Sequence, residues 1–361
     1  MNKVFKTKVL IFSGQQFGYL VDTFKYCEYV GEEFEITYLG WDYKRPKHSL
    51  QGIHVKYVSR HGNLFRRNYR LLRALHKELK SNIYEIIFLN YIRGISFIRF
   101  LHLRKKMIFD VRTLSISHNR FDRWIYDSFL KFESLFFKNY SVISDGIANK
   151  LRLKKYNLLP LGADPILNKS RKRGIPNQIR LLYIGTLQGR DILKCVKGME
   201  KYIDSSGDEN VLMKIIGDGP ELSEIENYVK NSSILKDKVE CTGRVLHTEL
   251  KPYFEWANVG VSFVPITPWY NFQPPTKTFE YLLSGLPVIA TSTNEHINLL
   301  QDEKYCVLIN DDSKSFSKGI EEMNQKLKGG IEREYFQKKY ADHNWETIVK
   351  NNFLGILKSA K

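Results

Sequence analysis

The sequence predicts an α/β chain built as two domains, and three observations carry that reading. Short apolar runs closed by Gly, Ser, Thr or Pro recur along it, alternating with stretches of helical periodicity. Its 361 residues exceed what one hydrophobic core usually holds. Asn168 to Gln178, rich in Lys, Arg, Gly and Pro, reads as a linker between two halves.

In the first half, Lys8 to Phe12 reads as a buried strand leaving through Ser13-Gly14, and Leu20 to Val30 as a helix. Phe34 to Leu39 and Val55 to Val58 read as strands. Asn63 to Lys80 is a helix with Phe65, Tyr69, Leu72, Leu75 and Leu79 on one side. Arg66, Arg67, Arg70, Arg73, Lys77 and Lys80 occupy the rest of it. A strand over Tyr84 to Leu89, a short helix over Ile95 to Leu103 and a strand over Met107 to Phe109 follow. Asp110-Val111-Arg112-Thr113 then stands at a strand's carboxyl end, where open α/β sheets form their sites. Val142-Ile143-Ser144 is a further strand, and Leu158 to Asp164 closes the half.

In the second half, Ile179 to Ile184 reads as a strand leaving through Gly185-Thr186, and Leu212 to Ile216 as another leaving through Gly217-Asp218-Gly219-Pro220. A helix over Glu221 to Lys230, a strand and exit over Val239 to Val245, and a buried strand over Val259 to Val264 follow. Asp311-Asp312 looks like a cap for a helix over Ser313 to Leu327, and the last helix runs near Trp345 to Lys358.

Pro274 to Thr291 organises the rest. Two prolines bar a helix before Thr276, the expected N-cap. Phe279, Leu282 and Leu283 form one apolar stripe, Gly285 ends the helix, and Val288-Ile289-Ala290 suits a strand covered on both faces. The first turn offers free backbone N–H groups and a positive dipole end, suited to phosphate. Lys277 in that turn opposes the dipole unless an anion sits there. Glu280 can accept both hydroxyls of a ribose. On local physics alone, an ordinary amphipathic helix with a surface Lys and Glu is the favoured reading.

The run P-x-K-x-x-E-Y-L-x-S-G-x-P-V-I-A-T resembles the donor-site signature of GT-B glycosyltransferases, in particular glycosyltransferase family 4. The Gly14 loop, Leu158 to Asp164, the Gly-Asp-Gly-Pro turn and this helix follow in the family's order. The resemblance implies two Rossmann-like domains facing each other across a cleft: an acceptor domain over 1–167, a linker over 168–178 and a donor domain over 179–344. A helix over 345–361 would pack back on the first domain and couple closure to donor binding. The implied activity is retaining, metal-independent transfer from a nucleoside diphosphate sugar to a lipid-linked or polysaccharide acceptor, in capsule, O-antigen or similar surface glycan synthesis. A nucleotide-sugar 2-epimerase is the alternative of the same fold.

The resemblance also assigns residues. Glu280 would bind ribose, while Arg190, Lys277 and the N–H groups of Thr276 to Thr278 would hold the diphosphate. Gly185 and Thr186 lie at the donor strand's exit; Gly217 and Gly219 form a turn near the nucleotide; Arg244 and the Val245 backbone would meet the base. The Gly14 loop would lean toward the phosphates, with a plain strand-exit glycine an equal reading. Asp110 and Arg112 resemble a D-x-R segment that meets an acceptor phosphate, and His118 is a candidate base. One departure is clear. Many members carry a glutamate eight positions before the Glu280 equivalent, where this chain has Phe272 between Asn271 and Gln273. An amide would then contact the sugar, and no carboxylate remains for a covalent intermediate. No Asp-x-Asp stands in the second half, so no metal or other cofactor is expected.

Charge is uneven. Up to residue 165 there are 29 Lys and Arg against 14 Asp and Glu, and beyond it 27 against 25. Within 51–106 the count is 13 against 2. Either those charges are merely solvated, or this face also rests on an anionic membrane surface. A non-catalytic module for anionic surfaces is the third functional alternative. No RNA-binding signature appears, so no nucleic-acid partner is expected. The apolar run Val9 to Phe12 is too short for a secretory signal, which needs roughly seven or more such residues. Prolines break the uncharged stretch Trp256 to Thr276, so it is no membrane span. Cys27, Cys195, Cys241 and Cys306 lack metal-like spacing and read as reduced core thiols. The expected place is cytoplasmic, peripheral on the inner face of the cell membrane.

Overall fold

Two parallel sheets, each covered by helices on both faces, make up the computed structural model, which describes residues 6–31, 33–117, 119–167, 178–274 and 276–360. The chain divides into Met1–Leu161 with Trp345–Lys361, and Gly162–Asn344.

The first unit runs β1 (Thr7–Ser13), α1 (Val21–Val30), β2 (Phe34–Asp42), β3 (Ile53–Ser59), α2 (Leu64–Ser81), β4 (Ile86–Asn90), α3 (Ser96–Leu101), β5 (Met107–Val111), α4 (Arg120–Ser134), β6 (Asn139–Val142), α5 (Asp145–Leu151) and β7 (Asn157–Leu158). Its strands lie in the order β3-β2-β1-β4-β5-β6-β7, the doubly wound arrangement. One sheet face, with Leu10, Phe12, Leu89 and Phe109, is covered by α2 to α5 through Leu71, Ile98, Leu130 and Ile147. The other face, with Val9, Ile11, Phe88 and Ile108, meets α1 and the chain's last helices. Burial on both faces is why β1 and β4 read as unbroken apolar runs.

The second unit runs β8 (Ile179–Ile184), α6 (Leu193–Ser206), β9 (Val211–Ile216), α7 (Leu222–Asn231), β10 (Val239–Gly243), α8 (Lys251–Trp256), β11 (Val259–Ser262), α9 (Thr276–Leu283), β12 (Val288–Thr291), α10 (Asn294–Leu300), β13 (Val307–Ile309), α11 (Ser313–Lys328) and α12 (Arg333–Lys339). Its strand order is β10-β9-β8-β11-β12-β13. The direction of winding reverses between β8 and β11, so the carboxyl ends of those two strands flank the switch point. α6, α7 and α11 cover one face; α8, α9, α10 and α12 cover the other.

The C-terminal segment, α13 (Trp345–Ile348), a π-helical turn over Val349–Phe353 and α14 (Leu354–Ala360), belongs to the first unit. Phe353 stacks on Tyr26 of α1 at 4.4 Å between ring centroids, and Trp345 meets the same ring at 6.2 Å.

Several expectations change. The division falls between Leu161 and Gly162, ahead of residue 167. Ala163 bridges to Asn344, and the Ile166 N–H donates to Ser284 Oγ at 2.9 Å, so this stretch packs with the second unit. Of the linker over 168–178, only Gln178 lies within the described residues. Val142 ends β6, while Ser144 caps α5 and accepts the Ile147 N–H. On α2 the buried side is Asn68, Leu71, Leu75 and Leu79; Phe65 and Tyr69 face out. Helix α4, not among the elements expected from the sequence, packs inward through Tyr126 and Leu130 and buries Glu133 beside them. Asp312 does cap α11, accepting the Ser315 N–H at 2.8 Å. The four cysteines are free thiols, three of them buried.

Phe353 is fully buried against Tyr26 and Phe88. Phe353→Ala is expected to cost about 3–5 kcal/mol of unfolding free energy in urea titrations, with the loss confined to the first unit's transition.

Candidate functional site

Helix α9 is held from four sides. Gly285, at φ 80°, closes it with both bonds of a Schellman motif: Leu286 N–H to Tyr281 O, and Gly285 N–H to Leu282 O, each 2.9 Å. A Cβ at Gly285 would stand 2.4 Å from Arg333 Cβ. The buried Tyr281 hydroxyl accepts the Ile184 N–H at 2.9 Å. β8 pairs with β11 only at Leu181 and Leu182, so that N–H has no strand partner on this side. Gly260 of β11 makes room for the ring, because a Cβ there would lie 2.4 Å from Tyr281 Cγ.

Behind the helix sits a buried polar cluster. His296 Nδ1 lies 2.7 Å from the Thr291 carbonyl, which only accepts, so Nδ1 carries the proton. Nε2 then accepts from one of the Thr278 and Ser262 hydroxyls, each 3.0 Å away, while the other donates across the 2.7 Å between them. Burial pushes His296 down to about 4, so the ring is neutral; the Thr291 bond opposes that shift. The Thr278 side chain is thus turned inward. Any part it plays at the helix start is through its backbone N–H. Thr276 is the first helical residue rather than the cap before it.

In the first turn, Lys277 Nζ pairs with Glu280 Oε2 at 2.7 Å, both side chains partly buried. The pair places one cation and one carboxylate beside the free N–H groups of the helix start.

The exits of β8, β9 and β10 are zipped together by backbone bonds. Leu187 N–H donates to Asp218 O, Glu221 N–H to Leu187 O, and Gly217 N–H to Gly243 O. Gly217 and Gly219 serve this approach: a Cβ would fall 1.8 Å from Gly185 O in the first case and 2.5 Å from Leu187 O in the second. Arg190 follows, its N–H on Glu221 Oε1 at 3.1 Å and its guanidinium 4.5 Å from the Tyr270 ring centre. Tyr270 belongs to the segment that links β11 to α9. Arg190 therefore spans the switch point and meets the stretch leading to Lys277 and Glu280. Thr186 and Arg244 are exposed, and Val245 is partly buried.

Asn271 has a structural task. Its Oδ1 accepts the Asn294 N–H at the start of α10, at 2.8 Å, leaving Nδ2 for other partners. The Gln273 N–H donates to Tyr270 O.

In the first unit, Arg112 takes part in an internal network, with its Nη2 left without a hydrogen-bond partner among the described residues. Its Nε donates to Asp22 Oδ2 at 2.8 Å and its Nη1 to Leu159 O at 2.9 Å, with Asp110 Oδ1 3.7 Å away. The guanidinium lies over Tyr26. Asp110 is fully buried and accepts from Asn90 Nδ2 at 2.7 Å; burial pushes it up to about 6, against the pull of Arg112. Arg112 ties β5 to α1 and to the end of the unit, and Asp110 ties β5 to β4 through Asn90. Gly14 packs on Ile92 and Trp41, and its carbonyl accepts from the Tyr43 hydroxyl. His118 lies outside the described residues.

Tyr270, Tyr281 and His296 were not singled out in the sequence. Only Tyr281 carried a signal, inside the E-Y-L run. The other two are recognisable only by their neighbours.

Residues 178–326 match the family model described as Glycosyl transferases group 1. No curated protein matches the sequence. Among solved structures, the chain is similar to sucrose-phosphate synthase from Thermosynechococcus elongatus, at 17% identity over 98% of each chain with a TM-score of 0.70. It is similar to the lipopolysaccharide outer core galactosyltransferase WaaB, at 12% identity over 98% of this chain and 100% of that one, TM-score 0.68. The Anabaena protein HepE in complex with UDP-glucose superposes at 12% identity over 98% of each chain, TM-score 0.65. These likenesses show a shared fold, that of GT-B glycosyltransferases.

His296 sets a pH dependence. Its folded value lies below its unfolded one, so its contribution to stability is full above about 6.5 and is lost as pH falls toward about 4. Between pH 7 and pH 5 that loss is expected to reach about 2 kcal/mol. In urea titrations at the two values, His296→Gln should flatten the slope by that amount.

Proposed function

We propose that this protein is a glycosyltransferase that moves a sugar from a nucleoside diphosphate sugar to a lipid-linked or polysaccharide acceptor, with retention of anomeric configuration and without a metal, a reading supported by the group 1 glycosyltransferase match over residues 178–326 and by the fold. The observation that carries the reading is the Lys277–Glu280 pair in the first turn of α9, with Arg190 stacked on the segment that leads into that turn.

Each group has a task. Glu280 accepts the ribose hydroxyls. Lys277 turns its ammonium from Glu280 to the diphosphate, whose oxygens also meet the N–H groups of Thr276 to Thr278. Arg190 faces the phosphate nearer the sugar. As the bond between the anomeric carbon and that phosphate oxygen breaks, negative charge grows on the leaving diphosphate. Fixed cations and helix N–H groups stabilise it more than they stabilise the intact donor. Arg244 and the Val245 backbone border the base. With Phe272 where many family 4 members have a carboxylate, the acceptor attacks on the face the diphosphate leaves, and retention needs no covalent intermediate. Gln273 and Asn271 Nδ2 are the groups for the sugar hydroxyls.

The acceptor is presented at the inner face of the cell membrane, in capsule, O-antigen or similar glycan synthesis. Residues 51–106 supply an electrostatic contact to anionic lipid. On α2, Arg67 and Arg70 are drawn inward to Trp41 and to the Ser59 and His61 carbonyls, while Arg66, Arg73, Lys77 and Lys80 stay exposed. Helix Asn63 to Lys80 thus keeps its outer charges for that surface.

A thermal-shift panel of nucleoside diphosphates and their sugars identifies the donor. Against it, Glu280→Ala should weaken binding roughly 10- to 100-fold, and unchanged affinity would remove the ribose assignment. Arg190→Ala should lower kcat roughly 100- to 1000-fold with a smaller change in donor affinity. Proton NMR of the product should show the donor's anomeric configuration. Inversion would overturn the front-face route, and an isomerised donor formed without acceptor would point to epimerase chemistry.

A further inference from the structure

Helix α4 is apolar on two sides, one packed on the core and one exposed. Phe121, Trp124, Ser128, Phe132 and Leu135 recur at helical spacing along one side and the start of the following turn, and that side faces outward. The four apolar members are 63%, 65%, 57% and 72% exposed. The inward side holds Tyr126 and Leu130 against the core and, beside them, two carboxylates that serve neighbouring backbone. Glu133, 3% exposed, accepts the Gly94 N–H at 2.7 Å and the Ser96 N–H at 2.9 Å, holding the start of α3. Asp127 accepts the Ser115 N–H at 2.8 Å. Rolling the helix to hide its aromatics would strand these carboxylates and three backbone N–H groups, so the orientation is fixed. The apolar surface continues onto α3. Phe100, itself half exposed, lies 4.7 Å from the Phe136 ring, which lies 5.2 Å from Phe132.

The rim of this face is basic. Residues 91–138 carry ten Lys and Arg against four Asp and Glu. Asp110 and Glu133 are buried and Asp127 is turned to the Ser115 backbone, so Asp122 is the one exposed acid of the four, while Arg104, Arg120 and Lys138 are exposed and Arg112 is held in the internal network. An apolar centre inside a positive rim fits an anionic lipid surface; a second copy would bring the same positive rims together. No helix among the described residues is long and apolar enough to cross a membrane. That leaves a helix lying in the interface plane, with its apolar side toward the acyl chains.

We propose that α4, with the adjoining end of α3, inserts into the headgroup boundary of an anionic bilayer, with Trp124, Phe121, Phe132 and Leu135 as the buried side. This deepens the membrane part of the proposed function by adding an apolar, salt-resistant component to the charge contact of α2. It does not depend on the transfer reaction.

The test uses the full chain and vesicles of phosphatidylcholine mixed with phosphatidylglycerol, with acyl chains brominated in one set. Tryptophan emission should shift to the blue and be quenched by the bromines. Trp124→Phe should abolish the quenching while still sedimenting with the vesicles. Replacing Phe121, Phe132 and Leu135 together by Ser should lower partitioning roughly 30-fold or more, leaving the nucleotide-induced thermal shift intact. Binding abolished by salt but unchanged by those replacements would leave the α2 contact standing and overturn this one. Equal quenching in wild type and Trp124→Phe would also overturn it, as would a concentration-dependent dimer that shields Trp124 without lipid. Loss of the nucleotide shift in the unaltered protein would count against the donor assignment alone.

Discussion

β8 and β11 stop pairing at Leu182, two residues before β8 ends, and the Ile184 N–H is left facing helix α9. The Tyr281 hydroxyl fills that position from inside the helix. An N–H buried there without an acceptor would cost roughly 1–3 kcal/mol, so the bond fixes both the depth and the rotation of α9 over the gap. Gly260 gives the ring its space, and the Schellman turn at Gly285 sets where the helix stops. With rotation fixed, Phe279 and Leu282 face the core, while Lys277 and Glu280 lie at the outer side of the first turn. The polar cluster around His296 grips the same turn from behind. Its neutrality matters, because a charged ring in that enclosure would have no counter-charge among the groups that touch it.

The same logic governs the exits of β8, β9 and β10. Their backbones approach so closely that side chains are excluded at Gly217 and Gly219. The result is a set of rigid strand ends around the switch point, from which Arg190 reaches the segment before α9. Preorganisation of this kind is what stabilising charge on a leaving diphosphate requires, since the groups need not reorganise as the charge develops.

The first unit spends its buried charge differently. Arg112, Asp22 and Asp110 hold β5, α1 and the end of the unit together, and Tyr26 links them to the C-terminal helix through its stack on Phe353. The carboxylates of α4 likewise brace its neighbours. A second, exposed row of aromatic rings on a helix that already buries Tyr126 and Leu130 is the feature of this unit that its own packing does not explain.

Much of the fold was legible in the chain itself. The apolar runs of β1, β4, β8 and β12 could only belong to strands covered on both faces, and Pro274, Gly285 and Pro287 bounded α9 because proline and glycine act on the backbone locally. Lys277 and Glu280 fell on one side of that helix by spacing alone. What spacing could not decide was partnership. Arg112 stood at a strand end where a ligand contact and an ion pair look alike until Asp22, far away in the chain, is brought beside it. Thr278 turned inward because His296 and Ser262 arrive from other elements. Helix α4 escaped recognition because both of its sides carry apolar residues, and which of them is buried is settled by the N–H groups its neighbours set against Glu133 and Asp127. Local backbone preference and residue spacing are properties of the sequence; which side of a helix is buried, and whether a charge is spent on a partner, is decided by what tertiary packing sets against it.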